Sequence, residues 1–189
     1  MPNFSGFAGG YELETLSLGI PFMAAFLNPG GWGEDFAWYM DHYTHMAGMW
    51  LVGEDMPQET NRITLDPVAK DKFGMAVASV HFDDHPNDVA MRTHAYKQGA
   101  AVYEAVGATV TYPTPPYPST HNLGTNRMSE KAKDGVVNKF GQTHDVKNLF
   151  VSDGSQFTSG AACNPTLTIV ALAIRQADYI AGAMQKKEI

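Results

Sequence analysis

Four prolines within six residues, at positions 113, 115, 116 and 118, constrain this chain more than any other feature. Each removes a backbone donor and pushes the residue before it out of the helical region, so helix and central strand are both excluded there. The segment predicts an extended crossing. The sequence is therefore divided into two domains, residues 1–118 and residues 119–189.

The two sides differ in pattern. On the first, apolar residues recur at spacings of three and four over residues 34–44 (Phe36, Tyr39, Met40, Tyr43), which predicts a helix, and a strand is expected at 48–55. Residues 62–65 and 76–82 read as two strands joined by the turn-rich DPVAKDKFG, a long-looped hairpin. A helix carrying Val89, Arg92, Ala95, Tyr96, Ala100, Val102, Tyr103 and Val106 is expected to stop at Gly107, with Asn87 or Asp88 as its cap. A further strand is expected at 108–112. GFAGG, at residues 6–10, reads as a flexible loop. On the second side, a short strand at 149–152 ends in Asp153-Gly154, and NPTLTIVALAIRQADYIAGAMQ predicts a long helix with Pro165 at its first position and Asn164 as its cap.

Composition limits the function classes. With 189 residues, 44% of them hydrophobic and 17% charged, the chain can bury a core. A net charge of −7 leaves no basic stripe to release counterions from a phosphate backbone, so a nucleic-acid partner is not expected. The single Cys163 excludes an internal disulfide and a cysteine-built zinc site, and leaves the compartment open. No apolar stretch comes near the roughly 20 residues of a membrane helix, so the chain is expected to be soluble.

Individual polar residues are ambiguous. His121 reads as a loop histidine or a base, Asn164 as a helix cap or a substrate contact, and Asp153-Gly154 as an ordinary turn. His42 and His45 share a helix face without an evident third ligand. HFDDHPND, residues 81–88, gathers two histidines and three aspartates, yet reads as a solvated turn before a helix, and no metal is assigned. The aromatics Trp32, Phe36, Trp38, Tyr39, Tyr43 and Trp50 read mostly as core, with a sugar pocket or an electron-transfer contact as alternatives.

The order of these residues is more telling than any one of them. His121, Gly124, Thr125 and Met128 are followed by Asn148, Leu149, Val151, Asp153 and Ser155, then by Asn164, Pro165, Thr168 and Ile169 opening the last helix. This succession resembles the C-terminal signature of the glucose-methanol-choline family of flavin-dependent oxidoreductases, over residues 49–183. The wording of THNLGTNRMSEKAKDG and FVSDGSQFTSGAACNPTLTIVALAIRQADYI is closest to the gluconate 2-dehydrogenase and fructose dehydrogenase type.

The resemblance implies an α+β fold. An antiparallel sheet with flanking helices would be the substrate-binding domain, and a C-terminal strand and helix would return to the FAD-binding domain. It implies FAD as cofactor and a sugar, sugar acid or polyol as substrate, with His121 as general base and Asn164 as its partner on the substrate oxygen. Asp153, Gly154, Pro165 and Thr166 match positions beside the cofactor, where a helix N-terminus would favour negative charge. The Gly-x-Gly-x-x-Gly turn that holds a dinucleotide pyrophosphate does not occur in this sequence. The chain thus reads as the C-terminal part of a larger enzyme, incompetent without an N-terminal FAD-binding half. A small subunit, a cytochrome and a periplasmic, membrane-associated location would follow from full likeness to gluconate dehydrogenase, and a cytoplasmic one otherwise. Two rivals remain: a non-catalytic binding or assembly module that keeps the fold, and a metal-dependent enzyme built on HFDDHPND.

Overall fold

A computed structural model describes residues 6–16, 30–116 and 121–189. They form three α-helices and two separate two-stranded antiparallel sheets, a mixed α and β architecture. The chain divides into two units, residues 1–53 with 90–118 and residues 54–89 with 119–189.

In the first unit, β1 (Tyr11–Leu16) pairs antiparallel with β2 (Gly48–Gly53), with Leu13 opposite Leu51. Sequence reading anticipates β2 but not β1, because YELETL alternates too weakly to announce a strand without its partner. Between them, α1 (Gly33–His42) continues into a 3₁₀ turn, Tyr43–His45, as the three-and-four spacing predicts. The ribbon is covered by residues 90–105 of α2 (Pro86–Ala105), whose Met91 and Ala95 are buried. Gly53 permits the close approach: a Cβ there would lie 2.5 Å from Met91 Cε. Tyr11 Oη and His94 Nδ1 are hydrogen-bonded at 2.9 Å, with Phe7 buried beside them.

After Gly107 the backbone has no regular structure through residue 116, so the strand expected at 108–112 does not form. Val110 and Tyr112 stay half exposed, and the run ends in prolines that cannot donate to a ladder. The Tyr96 hydroxyl instead donates to Thr114 O at 2.8 Å. Pro118, the last of the run, lies outside the described residues, as do residues 1–5 and 17–29.

In the second unit, β3 (Arg62–Lys70) and β4 (Ala76–His81) form the expected hairpin, with a tighter turn. Asp66-Pro67 belongs to the strand as an irregularity: Asp66 Oδ1 accepts from Val68 N at 2.8 Å and Ala69 N at 2.7 Å. Those two bonds hold the exposed Asp66 carboxyl below its ordinary value. The turn closes on Asp71, whose Oδ1 accepts from Phe73 N and Met75 N, with Gly74 at φ +83°. Ile63 lies opposite Val80 across the hairpin, and Ile63, Leu65, Val80 and Phe82 remain 52–72% exposed.

The helix start at Pro86 replaces the expected Asn87 or Asp88 cap. His85 takes that place, accepting from Asn87 N through Nδ1 at 3.1 Å and from Val89 N through its carbonyl at 3.2 Å. Asp88 is buried, with both carboxylate oxygens 3.2 Å from Met56 N.

Residues 121–165 form a hydrogen-bonded meander around Val137, which is fully buried. The strand expected at 149–152 is reduced to one bridge, Gln142 with Phe150, flanked by Val151 N to Gly141 O at 2.8 Å. Gly141 turns the opposing backbone at φ +71°, so no straight partner runs alongside. The long helix α3 is Thr166–Gln185. Its twenty residues have the length and composition to cross a membrane, which corrects the sequence expectation. Polar interruptions at Thr168, Arg175, Gln176 and Asp178 hide it from a count of unbroken apolar residues. Buried Gln176 shows what the interruption is for. Its Nε2 donates to Phe140 O at 3.0 Å and Val151 O at 2.8 Å, bolting the helix to the meander, while Tyr179 stacks on Phe140 at 4.1 Å.

Candidate active site

The three motif segments of the second unit meet at one glycine. Gly154 opens the 3₁₀ turn Gly154–Gln156 and is buried. A Cβ on it would lie 2.7 Å from Leu123 Cδ2, 3.3 Å from Ile169 Cδ1 and 3.6 Å from Asn122 O. Leu123 follows His121 by two residues, and Ile169 sits in the first turn of α3, five residues after Asn164. A methyl there would require the Leu123 side chain to shift.

A ladder then fixes the register between the first two segments. Asn126 N donates to Ser155 O at 2.9 Å, Met128 N to Gln156 O at 2.8 Å, and Asn126 Nδ2 to Ser155 Oγ at 3.1 Å. Gly124 adopts φ +84°, a conformation that favours glycine, and packs against Phe157 O. Asp153 caps the 3₁₀ turn, its Oδ1 accepting from Ser155 N at 2.8 Å. Its carboxylate is thus spent in part on holding the turn.

His121 is half-buried at the head of the first segment. Asn164 is exposed and lies one residue outside the helix. The cap itself is Pro165, whose carbonyl accepts the first helical bond from Ile169 N at 3.0 Å, and no side chain caps that end. The expectation that Asn164 is the cap and Pro165 the first helical residue is therefore shifted by one position. Thr166 is the first residue of α3 and is exposed, as are Leu167 and Thr168. Those three amides precede the first helical hydrogen bond, so none is spent within the helix.

Sequence reading places Ile169 in the motif but misses the other residues that hold this arrangement: Leu123 against Gly154, and the buried pair Gln156 and Gln176 beside Gly141. Gln176 did leave a signal, a glutamine inside an apolar helical run.

Among the described residues, no group of three or more His, Cys, Asp or Glu could hold a metal ion. HFDDHPND is used locally: exposed His81 and Asp83 pair at 3.0 Å, His85 caps α2 and Asp88 receives Met56 N.

Residues 57–173 match the family model for GMC oxidoreductase. The chain belongs to the GMC oxidoreductase family. Its curated relatives include 2-methyl-1,2-propanediol dehydrogenase of Mycolicibacterium austroafricanum, 40% identical over 183 residues, a match covering 93% of this chain and 33% of the relative. The gluconate 2-dehydrogenase flavoprotein of Pantoea cypripedii is 30% identical over 181 residues, covering 88% and 29%. The fructose dehydrogenase large subunit of Gluconobacter japonicus is 29% identical over 143 residues, covering 75% and 26%. The chain thus spans about a third or less of the length of these GMC relatives.

Proposed function

We propose that this chain is the proton-handling, substrate-facing end of an FAD-dependent GMC dehydrogenase that oxidises an alcohol group of a sugar, sugar acid or polyol. The observation that carries the reading is the junction at Gly154, which draws the segment bearing His121, the Asp153-Gly154 turn and the start of α3 into one place. The similarity to dehydrogenases named for a diol, gluconate and fructose supports the substrate class.

The chain's residues fit one side of a flavin. The amides of Thr166, Leu167 and Thr168, which make no bond within the helix, form its N-terminus, which favours negative charge facing it. When bound, FAD supplies the acceptor for the carbon-bound hydride. In this reading the imidazole of His121 accepts the substrate hydroxyl proton, the general-base task that histidine most often performs. The Asn164 amide donates a hydrogen bond to the same oxygen as negative charge grows on it. Pro165 and Thr166 position that amide at the mouth of the helix, and the Asp153 cap holds the facing turn.

Uncovered apolar surface supports a missing half. Leu167, Val170 and Ile174, spaced by three and four along α3, are 84%, 49% and 62% exposed, and Ile63, Leu65 and Val80 of the β3–β4 hairpin are exposed as well. An N-terminal FAD-binding half would cover such faces, and the chain alone would be inactive.

The test is an FAD titration of the chain, alone and with the N-terminal half supplied, followed by dye reduction with gluconate, fructose and a diol. Binding and turnover only in the reconstituted pair are expected, with His121→Ala slower by about 10²- to 10⁴-fold. Activity that survives loss of both His121 and Asn164 would overturn the mechanism and favour a non-catalytic module.

A further inference from the structure

The first unit carries a cleft that the proposed reaction does not use. It has a volume of about 250 Å³ and is lined, among the described residues, by Asp35, Trp38, Tyr39 and Tyr112. The space exceeds the roughly 30 Å³ share of a single water severalfold, enough for a small organic molecule.

Local structure explains how the walls assemble. Asp35, Trp38, Tyr39 and His42 recur at spacings of three, four and seven, so they share one face of α1. Tyr112 arrives from the irregular segment after α2. The three rings form a close triangle: centroids are 5.5 Å apart for Trp38 and Tyr39, 6.0 Å for Trp38 and Tyr112, and 5.5 Å for Tyr39 and Tyr112. Tyr39 is the buried floor, while Trp38 and Tyr112 are 37% and 51% exposed rims. His42 stacks flat on the Trp38 indole at 4.3 Å and is held there by its Nδ1 bond to Trp38 O.

The electrostatics are of one sign. Among the described residues, Asp35 makes no ion pair and no basic side chain lines the cleft. Burial first, then Tyr112 and Asp35 nearby, push the Tyr39 phenol above its ordinary value. Aromatic faces carry the negative end of a quadrupole, and tryptophan is the strongest of them.

We infer that this cleft on α1 is a binding site for a small organic cation of the alkylammonium class. Its carboxylate supplies the counter-charge and its three rings supply apolar contact that a hydrated metal or sodium ion would not use. A neutral sugar would find the rings but would gain little from the unpaired charge, so the site discriminates by charge rather than by hydroxyl pattern.

The test uses the full chain and tetramethylammonium chloride, with sodium chloride at equal ionic strength and methyl glucoside as controls, read by the indole N–H resonances of Trp32, Trp38 and Trp50. A saturable shift confined to Trp38 is expected with tetramethylammonium alone. Asp35→Asn, at an exposed position, should weaken it about fivefold or more, and Tyr112→Ala should weaken it further. No saturable shift, an undiminished shift in Asp35→Asn, or saturation by methyl glucoside would overturn the assignment.

Discussion

Gly154→Ala tests the junction directly. Its new methyl would sit 2.7 Å from Leu123 Cδ2 and 3.3 Å from Ile169 Cδ1, closer than ordinary carbon contacts of about 3.5–4.0 Å. Both neighbours are side-chain ends rather than backbone, so part of the overlap is relieved by rotation, and the cost falls in the overpacking range of about 1–3 kcal/mol. The three tryptophans all lie in the first unit and would not report it. Hydrogen exchange at the Asn126 and Met128 amides, which donate to Ser155 O and Gln156 O, is the suitable readout. A loss of 1–3 kcal/mol corresponds to exchange roughly 5- to 150-fold faster. Leu123→Ala removes the atom at 2.7 Å, so in that background Gly154→Ala should cost at least about 1 kcal/mol less. Strict additivity of the two changes, or a Gly154→Ala cost below about 0.5 kcal/mol, would show that the close approach at Gly154 does not hold the segments together.

Three further outcomes follow from neighbouring features. Gly141→Ala should cost more than Gly154→Ala, about 3 kcal/mol or above by urea unfolding, because φ is +71° and its methyl would meet the backbone at Val151 O, 2.6 Å away. Gln176→Leu should lower stability by about 2–4 kcal/mol in the same assay, since two carbonyls that meet the buried Gln176, Phe140 O and Val151 O, lose their donor. Asp66 has a depressed carboxyl pKa, so its contribution is complete above the ordinary value of 3.8 and is lost as pH falls through the lower folded value. A carboxyl titration by NMR should show that midpoint below 3.8, and one at or above it would refute the bonds to Val68 and Ala69.

Helices α1, α2 and α3 and the β3–β4 hairpin are readable from residue order because the signals that make them are local: apolar spacing, a proline at a helix start, an aspartate and a glycine at a turn. The family is legible for a related reason. The succession His121, Asp153, Asn164-Pro165 is a statement about side-chain chemistry, and residues 57–173 match the GMC oxidoreductase model independently. Strands are different, since each needs a partner to satisfy its backbone. YELETL becomes β1 only because β2 lies beside it, whereas residues 108–112 and 149–152, which carry no charged side chain, stay irregular or form a single bridge.

The sequence alone thus determined the helices, the hairpin, the chemical inventory and the family. Tertiary structure decided which segments meet. A hydrogen at Gly154 rather than a methyl brings Leu123 and Ile169 together, and a glutamine in an apolar helix ties α3 to the backbone carbonyls of Phe140 and Val151. The physical reason is range: helix periodicity and turn chemistry act over three or four residues, while the contacts that build the site join positions fifteen or more residues apart, where residue order carries no distance.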